Sequence, residues 1–591
     1  MSSSWDGDAA VSDWQAKKTR LTLPVGGPTA GAWPAPITLE TDVLVIGGGF
    51  AGCFAAIKAR EAGARVVMAV KGRAGRSGLT PWANSWFVFK DTKGVTREQY
   101  LQQFVLAGEY LNNMDFVDVL MAESYDRYLE VSAWGAQTGR EYYYQPGTVT
   151  RSIEVVGAGD ALRKKTVASG VELLERVMIT SLIKPEDRVL GAVGFHMESG
   201  QPYAILARAT VIAAGPASFK PLGLGYPCSA ATADGDAMAY RVGAEISGKE
   251  FNDAHPARGA NPLAEPDTRP SPMLSATELG GGPPGPAEPA DRLDGRHLGL
   301  RIGSALGVHN GGMPPDPRFR SGPGSFPMGK GGEPPGLFGD SPGISTPGMS
   351  NHKGEGVFPQ DLFGASNVPG LWAAGDALCS MQNGAGYAGF GCSCAGSSVQ
   401  GARAGRAAAE HAGHEAAPVA DTALLQTLCR DMLEPLSRQR GFSPAWVTRV
   451  MQGIMFPYYV MYVKERSRLE AALSQIMHLQ EAYVPALKIE DPHGLRLAHE
   501  TRNMLLNAEM KLRAGLAREE SRGTHFREDF PFRDDGNWLC WLKLVERDGK
   551  MAVVRQPIPA KWRPAPSLAY RDKYPVVLLG EDEYLGGRAR G

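Results

Sequence analysis

The chain has 591 residues, which is enough for two or three large domains or about four of average size. Its 62 Lys and Arg residues nearly balance its 63 Asp and Glu residues, so no global positive field is available to hold nucleic acid. Hydrophobic residues make up 43% of the chain and charged residues 21%, a composition that excludes general disorder and allows a large core. The sequence also lacks an apolar run of the length that membrane insertion requires.

Cysteine usage indicates the redox compartment and the metal content. The seven cysteines are scattered, with no C-x-x-C pair and no ferredoxin spacing. We therefore expect neither a metal site nor an iron–sulfur cluster in this chain. Together with the lack of a signal peptide core, this pattern predicts a soluble, cytoplasmic protein.

The beginning of the chain carries a glycine motif in a specific context. Residues 1–39 are polar and rich in Pro and Gly, which predicts an arm on the surface. An apolar strand over residues 43–46 then runs into Gly47-Gly48-Gly49-Phe50-Ala51-Gly52, followed by a helix over 53–62 and a strand over 65–70. In this G-x-G-x-x-G pattern, Gly47 permits the tight turn, Gly49 lets backbone amides approach a pyrophosphate, and Gly52 allows close packing of helix and strand. The strand and helix on either side favour a dinucleotide site over an accidental glycine turn.

The second strand ends without the acidic residue that would hold an adenosine ribose in an NAD enzyme. Val70 and then Lys71 stand there, which weakens a plain NAD interpretation. Further on, two short runs over residues 189–196 and 203–206 predict a hairpin around the turn 198–201, before a buried strand over 209–214.

Glycine and proline together form about a fifth of the chain, against about an eighth on average, and they concentrate in residues 256–349. Such sequence forms neither a helix nor a central strand. Composition alone suggests a disordered linker. Because α/β sequence resumes at Val368, an insertion with its own loops is favoured.

A second cofactor element follows this stretch. An apolar strand ends in Gly375-Asp376, and a helix is predicted over residues 396–412. This arrangement brings a carboxylate acceptor to cofactor hydroxyls and a helix N-terminus to the cofactor's polar edge. Two such elements, far apart in the chain, suit the long cofactor FAD. Apolar residues at helical spacing then predict several helices over 418–518.

With these motifs, the sequence resembles the flavoprotein subunits of the succinate dehydrogenase and fumarate reductase family, which includes L-aspartate oxidase and the adenylylsulfate reductase alpha subunit. The resemblance covers about residues 41–540 and is most specific in 521–538, which begins Ser521-Arg522-Gly523-Thr524-His525. It implies an α/β fold with a Rossmann-like FAD-binding domain interrupted by a capping domain and followed by a helical domain and a C-terminal extension. The expected regions are the N-terminal arm 1–39, a first FAD-binding segment over 40–245, the Gly/Pro-rich capping domain over 246–349, a second FAD-binding segment over 350–415, the helical domain 416–530 and the C-terminal extension 531–591.

The resemblance also implies a set of cofactor-binding residues. They are Gly47, Gly49, Phe50, Ala51, Gly52, Lys71, Arg76, Ser77, Gly78, Ala214, Gly215, Asp234, Gly375 and Asp376. Many members attach FAD covalently through a His that follows Arg-Ser. This chain has Arg76-Ser77-Gly78, and glycine has no nucleophile, so we expect FAD to be bound without a covalent bond.

Two departures concern the substrate. Dicarboxylate-specific members carry a carboxylate-binding Arg where this chain has Tyr387, and a proton-donating Arg in the cap where this chain has residues 278–283 without any Arg. A bidentate guanidinium fixes a carboxylate in orientation, and neither Tyr nor Gly replaces it. Succinate, fumarate and aspartate are therefore not the expected substrates.

Four residues are candidates for catalysis. His255 matches the family's substrate-contacting His and could orient a carbonyl or move a proton; the alternative is a His packed at a domain seam. Arg258 could stabilise an anionic intermediate, or it is an ordinary loop Arg. Tyr387 could donate to a substrate oxygen, or pack as an aromatic, and His352 is a looser match to a second substrate His.

These residues support hydride transfer between a small organic substrate and flavin N5. A stand-alone dehydrogenase or reductase is one hypothesis. The alternative is the flavin subunit of a heteromeric enzyme that exchanges electrons with a separate ferredoxin-like iron–sulfur subunit, and a third is a flavin-binding scaffold without turnover. The sequence leaves a homo-oligomer open.

Overall fold

The computed structural model describes residues 34–82, 86–89, 96–136, 158–220, 231–253, 349–350, 354–386, 391–419, 421–461, 463–574 and 581. The strands are β1 Ile37–Ile46, β2 Val66–Val70, β3 Glu172–Glu175, β4 Val177–Leu182, β5 Gly191–His196, β6 Pro202–Ile212, β7 Ile246–Ser247, β8 Asn252–Asp253, β9 Met349–Ser350, β10 Gly356–Val357, β11 Leu371–Ala373, β12 Val463–Lys464, β13 Phe526–Arg527, β14 Cys540–Arg547 and β15 Lys550–Pro557. The helices are α1 Phe50–Glu61, α2 Arg97–Ala107, α3 Met114–Ala136, α4 Ala158–Ala168, α5 Asp234–Arg241, α6 Cys392–His414, α7 Thr422–Leu433, α8 Pro444–Met455, α9 Tyr458–Met461, α10 Arg466–His478, α11 Pro492–Ala517, α12 Asp535–Trp538 and α13 Tyr570–Lys573.

Seven of the described strands form the main sheet, in the order β3-β2-β1-β6-β5-β4 with β11 also paired to β6. Strands β1, β2, β3, β6 and β11 are parallel, as a buried α/β sheet requires. The strand β1 begins at Ile37, inside the predicted arm, and only its second half is buried. The predicted α/β class and the FAD-binding fold are confirmed by this sheet with helices packed on its faces.

One strand prediction was wrong. Residues 203–206 and 209–214 were expected to form separate strands, but they belong to the single eleven-residue strand β6. Its first half pairs with β5 and its second half with β11, along the same edge. The change of neighbour half-way along the strand is a tertiary effect that the local sequence does not contain.

Two glycines of helix α6 allow it to pack closely on α1 and hold the halves of the FAD-binding domain together. Helices α1 and α6 touch so closely that a Cβ on Gly401 would lie 2.2 Å from the Ala51 carbonyl oxygen. One turn further on, a Cβ on Gly405 would lie 2.1 Å from the carbonyl oxygen of Ala55. The segment after residue 350 is therefore packed directly onto the motif at residues 47–52.

The C-terminal region consists of helices and a hairpin. Helices α7 to α11 share an apolar core that also includes Met178 and Phe195 of the main sheet, and they confirm a C-terminal helical domain. The strands β14 and β15 form a hairpin that pairs with β7 and, through it, with β10. The Trp541 indole N–H donates to the Leu111 carbonyl at 2.8 Å, so the extension lies against the FAD-binding domain. Within the described ranges, no helix is long and apolar enough to cross a bilayer.

Candidate functional site

Four turns meet at one edge of the main sheet. They follow β1, β2, β6 and β11, and because these strands are parallel, their carboxyl ends lie together. The residues of these turns are Gly47 to Gly52, Lys71, Ala214 with Gly215, and Gly375 with Asp376. The structure thus brings together segments that are more than three hundred residues apart in the sequence.

The turn after β1 requires glycine at two positions. Gly47 has a φ of +114°, and a Cβ there would lie 2.2 Å from the Ala213 carbonyl oxygen. A Cβ on Gly52 would lie 1.9 Å from the carbonyl oxygen of Gly47. Helix α1 begins directly after this turn at Phe50, whose N–H donates to Thr80 Oγ1 at 3.2 Å. A helix N-terminus of this kind offers partial positive charge to a phosphate.

The turn after β11 completes the edge. Gly375 has a φ of +71°, and a Cβ on it would lie 2.7 Å from the Ala51 side chain, so the two glycine turns touch. The Gly375 N–H donates to Gln400 Oε1 at 3.1 Å, while the buried Nε2 of Gln400 has no partner among the described residues. Asp376 lies in the first turn of the short helix that follows, half-buried at the same edge.

These features fit an extended dinucleotide such as FAD. The edge offers backbone amides at a helix start, a buried amide donor on Gln400, and the Asp376 carboxylate. Gly78 and Gly215 both adopt positive φ values, +68° and +82°, and no described atom beyond their chain neighbours lies within 4 Å of where a Cβ would be. Space for a ligand therefore adjoins both glycines.

Lys71 and Asp234, two of the predicted cofactor residues, bind each other. The Lys71 ammonium donates to Thr232 Oγ1 at 2.8 Å and Asp234 Oδ2 at 2.7 Å, and it pairs with Glu500 Oε1 at 2.9 Å. Burial alone would lower the pKa of Lys71, but the two carboxylates outweigh it and raise that pKa. Burial would raise the pKa of Asp234, and Lys71 outweighs it, so the pKa is lowered.

All three protons of Lys71 are thus used within the protein, and Glu500 lies on α11 of the helical domain. The pair connects the edge of the main sheet where the four turns meet, called the cofactor edge from here on, to that domain. Direct contact of either residue with FAD stays a prediction. Arg76 is mostly exposed and its Nε donates to Asp160 at 2.5 Å, while Ser77 Oγ donates to the Arg73 carbonyl at 2.8 Å.

The four predicted catalytic residues His255, Arg258, His352 and Tyr387 lie outside the described residues. The structure does describe the two ends of the chain that flank residues 254–348. Strand β8 pairs antiparallel with β9, with Asn252 opposite Ser350 and Asp253 opposite Met349. The chain therefore leaves and re-enters the FAD-binding domain at one place.

Sequence reasoning missed a cluster of buried charges next to these strands, formed by Asp236, Lys249, Glu355 and Lys511. The available signal was Lys249, which lies next to Glu250 and close to the predicted substrate His. Among the described residues, including this cluster, no group of three or more His, Cys, Asp or Glu side chains is arranged to hold a metal ion.

Comparison with known families supports the same assignment. A model of the FAD binding domain matches residues 42–262, and a model of the fumarate reductase flavoprotein C-terminal region matches residues 448–566. The two matches cover more than half of the chain and occur in the family's order. The chain belongs to the succinate dehydrogenase and fumarate reductase flavoprotein family. It is a FAD-dependent oxidoreductase, and the site fits that cofactor.

Individual relatives match this family member over most of their length. A protein of Methanothermobacter marburgensis, named as one of the subunits of the fumarate reductase (CoM/CoB), is 28% identical over 539 residues, 83% of this chain and 95% of that protein. The L-aspartate oxidase of Streptomyces coelicolor is 27% identical over 580 residues, 85% of this chain and 91% of that protein. The FrdA structure of E. coli quinol fumarate reductase aligns with a TM-score of 0.70 at 19% identity, over 90% of this chain and 99% of that one, which shows the shared fold.

Proposed function

We propose that this family member transfers hydride between FAD, held without a covalent bond, and a small organic substrate that is not a short dicarboxylate. When bound, FAD supplies the two-electron chemistry. The observation that carries the proposal is the pair of sequence positions where dicarboxylate-specific members have Arg and this chain has Tyr387 and the Arg-free residues 278–283. The relatives' names mention fumarate and L-aspartate, but at 27–28% identity a change of two binding groups changes the substrate.

The backbone at Gly78 supports non-covalent binding. Gly78 stands where many members have the flavin-linked His, and its φ of +68° is a conformation that a histidine adopts only at a steric cost. No other described side chain at that turn is a nucleophile suited to a flavin, since Arg76 is paired with Asp160 and Ser77 donates to a backbone carbonyl. The flavin should therefore be extractable.

The proposed roles of the chain's own residues follow their chemistry. His255 would orient a substrate carbonyl or move a proton, since its ordinary pKa lies near working pH. Arg258 would stabilise negative charge, Tyr387 would donate to a substrate oxygen, and His352 would be a second polar contact. We place the protein in the cytoplasm, because its few cysteines are scattered along the chain and do not form the pattern of a disulfide framework.

Acid denaturation tests the mode of cofactor binding. We expect precipitation of the purified holoprotein to leave a yellow supernatant containing FAD over a colourless pellet, because Gly78 offers no atom for a covalent bond. The absorbance spectrum of both fractions and mass spectrometry of the pellet measure the outcome. Flavin that stays attached to the polypeptide after denaturation would contradict the non-covalent proposal.

An anaerobic screen tests the substrate class. We expect at least one carbonyl-containing or aromatic metabolite to change the flavin absorbance, in the oxidised or the reduced protein, while fumarate, succinate and L-aspartate leave it unchanged. His255→Ala should keep the FAD content and lower turnover by about 10²-fold or more, the usual size of a lost acid–base contribution. Rapid reoxidation of the reduced protein by fumarate would refute the proposed substrate class. Unchanged turnover in His255→Ala would show that His255 has no catalytic role.

A second arrangement, a flavin subunit with a ferredoxin-like iron–sulfur partner, has its own support. The Methanothermobacter marburgensis relative is named as one of several subunits, and this chain has no cluster-binding cysteine pattern. Purification of the native protein at low salt distinguishes the heteromeric enzyme from the stand-alone enzyme. A small protein that coelutes at fixed stoichiometry and shows iron–sulfur absorbance supports the heteromeric enzyme, and elution of the chain alone with full turnover supports the stand-alone enzyme.

A further inference from the structure

Four charged side chains meet without solvent exposure beneath the cofactor edge. The Lys249 ammonium donates to Asp236 Oδ2 at 2.5 Å, to Glu355 Oε1 at 3.1 Å and to Asn507 Oδ1 at 2.7 Å, which uses all three of its protons. Lys249, Asp236 and Glu355 are completely buried. Lys511 donates to the other oxygen of Glu355 at 2.9 Å, so this carboxylate bridges the two ammonium groups.

Each member of this buried-charge cluster, defined as Asp236, Lys249, Glu355 and Lys511, comes from a different region of the chain. Asp236 is in the first turn of α5, two residues after Asp234 at the cofactor edge. Lys249 lies three residues before β8, and Glu355 lies five residues after β9 and directly before β10; β8 and β9 are the paired strands that flank residues 254–348. Lys511 lies on α11 of the helical domain.

Backbone and amide contacts extend the cluster to neighbouring segments. Glu355 Oε1 accepts the N–H of Ala217 at 3.3 Å, two residues after Gly215. Lys511 donates to Asn252 Oδ1 at 3.0 Å, in β8 itself, and Asn507 Nδ2 donates to the Ala233 carbonyl at 3.3 Å. The cluster therefore joins the turn after β6, the start of α5, β8, the residue before β10 and α11.

Net stabilisation does not explain why four charges are buried here. Two ammonium and two carboxylate groups balance in charge, but only Lys249 gains: Asp236 and Glu355 outweigh burial and raise its pKa. Burial raises the pKa of Asp236 to about 6 despite the adjacent Lys249. It also lowers the pKa of Lys511. Buried ion pairs of this kind are commonly no more stabilising than well-packed apolar residues of the same volume. Such pairs do add orientation, because each ammonium and carboxylate group holds its partners in hydrogen-bonding geometry.

We propose that the buried-charge cluster is a positioning device that fixes the chain on both sides of residues 254–348 relative to the cofactor edge. Its members are positioning residues. This inference rests on the proposed function in one respect, because the segment that Lys249 holds continues to His255 and the segment that Glu355 holds follows His352. A displacement of about 1 Å at reacting groups is enough to lower turnover by about 10²-fold.

The test separates positioning from stability by removing a charge pair rather than one charge. In Lys249→Met, Asp236 and Glu355 lose a shared cation, and we expect a lower melting temperature and partial loss of FAD. The double variant K249M/D236T removes both charges at nearly constant volume, and we expect its melting temperature to return to within about 5 °C of the unaltered protein with FAD retained.

The decisive readout in the double variant is local. We expect backbone amide hydrogen exchange to rise at least about tenfold in peptides covering residues 246–253 and 354–358, the segments that lose their anchor, and kcat to fall by about tenfold or more at nearly constant KM. The matched control R513M/E509Q removes an ion pair on the same helix, Arg513 Nε to Glu509 Oε1 at 2.7 Å, and should change neither. Wild-type exchange and kcat in a stable double variant would overturn the proposal.

A milder variant covers the case in which K249M/D236T does not fold. Asn507→Ala keeps all four charges and removes one of the three acceptors of Lys249. We expect faster exchange in residues 246–253 with FAD bound, and unchanged exchange there would overturn the proposal. The exchange measurements need no substrate, so they decide the positioning role even if the metabolite screen refutes the proposed function.

Discussion

Gly52→Ala should yield a protein that folds poorly and purifies with less than about a tenth of its FAD. A single added methyl group would lie 1.9 Å from the Gly47 carbonyl oxygen, well inside van der Waals contact. Helix α1 would have to move away from the turn after β1, or the turn would have to change shape. Overpacking of this kind costs about 1–3 kcal/mol in stability, and here the displaced atoms also belong to the turn that is predicted to bind the pyrophosphate. The ratio of flavin to protein absorbance and a thermal melt measure both effects.

A matched control lies in another helix. Gly453 also lies in a terminal turn of a helix, the last turn of α8, but no described atom outside its own helix and chain neighbours lies within 4 Å of where its Cβ would be. Gly453→Ala should keep full FAD content and should stabilise the protein slightly, by about 0.5–1 kcal/mol, because alanine favours helix more than glycine does. If Gly52→Ala bound FAD as well as Gly453→Ala, the close contact at the dinucleotide turn would not limit cofactor binding.

Local patterns explain why the cofactor edge was predictable. Gly47 and Gly49 lie between β1 and α1, Gly52 lies in the first turn of α1, and Gly375-Asp376 follows β11 directly, so a few neighbouring residues determine each turn. The contact between the two turns was only implied by the length of FAD, and the structure adds the reason: Gly375 touches Ala51, and Gly401 and Gly405 let α6 lie against α1.

Other regions depended on distant neighbours. The sequence predicted two strands where the structure has the single strand β6, whose partner along one edge changes from β5 to β11. The buried-charge cluster was missed because its members are spread over residues 236–511 and meet only when α11 packs onto the FAD-binding domain. No periodicity in the sequence connects them.

The C-terminal hairpin had a local signal in the sequence. Asp548 and Gly549 join β14 to β15 as a two-residue loop with φ values of +52° and +73°. Asp-Gly is the dipeptide preferred at such turns, since both positions need positive φ. Within the predicted C-terminal extension, β14 and β15 therefore form a hairpin whose first strand pairs with β7.

The most specific block of the family resemblance serves structure, and Arg522 shows how. Its side chain is completely buried, with Nε and Nη2 donating to the Glu520 carboxylate at 2.7 and 2.9 Å and Nη2 also reaching Asp535 at 2.8 Å. Its Nη1 donates to the Glu109 carbonyl at 3.0 Å and to the Tyr574 hydroxyl at 2.8 Å. One guanidinium thus joins the end of the helical domain to the FAD-binding domain and to the C-terminal extension.

Arg522→Met should therefore cost about 3–5 kcal/mol of unfolding free energy, because the buried Glu520 carboxylate would keep only Arg518 as a cationic partner and Asp535 would lose its pair with Arg522. Arg522→Lys should recover little of this loss, since an ammonium cannot reproduce a planar fork with partners on several sides. The control Arg466→Met breaks the pair with Glu519, 2.5 Å apart but about half exposed, and should cost no more than about 1 kcal/mol. Urea unfolding of the holoproteins compares the three. Because Arg522 lies at the junction of three regions of the chain, its loss should also make unfolding less cooperative. Equal losses of unfolding free energy in Arg522→Met and Arg466→Met would mean that apolar packing holds this junction instead.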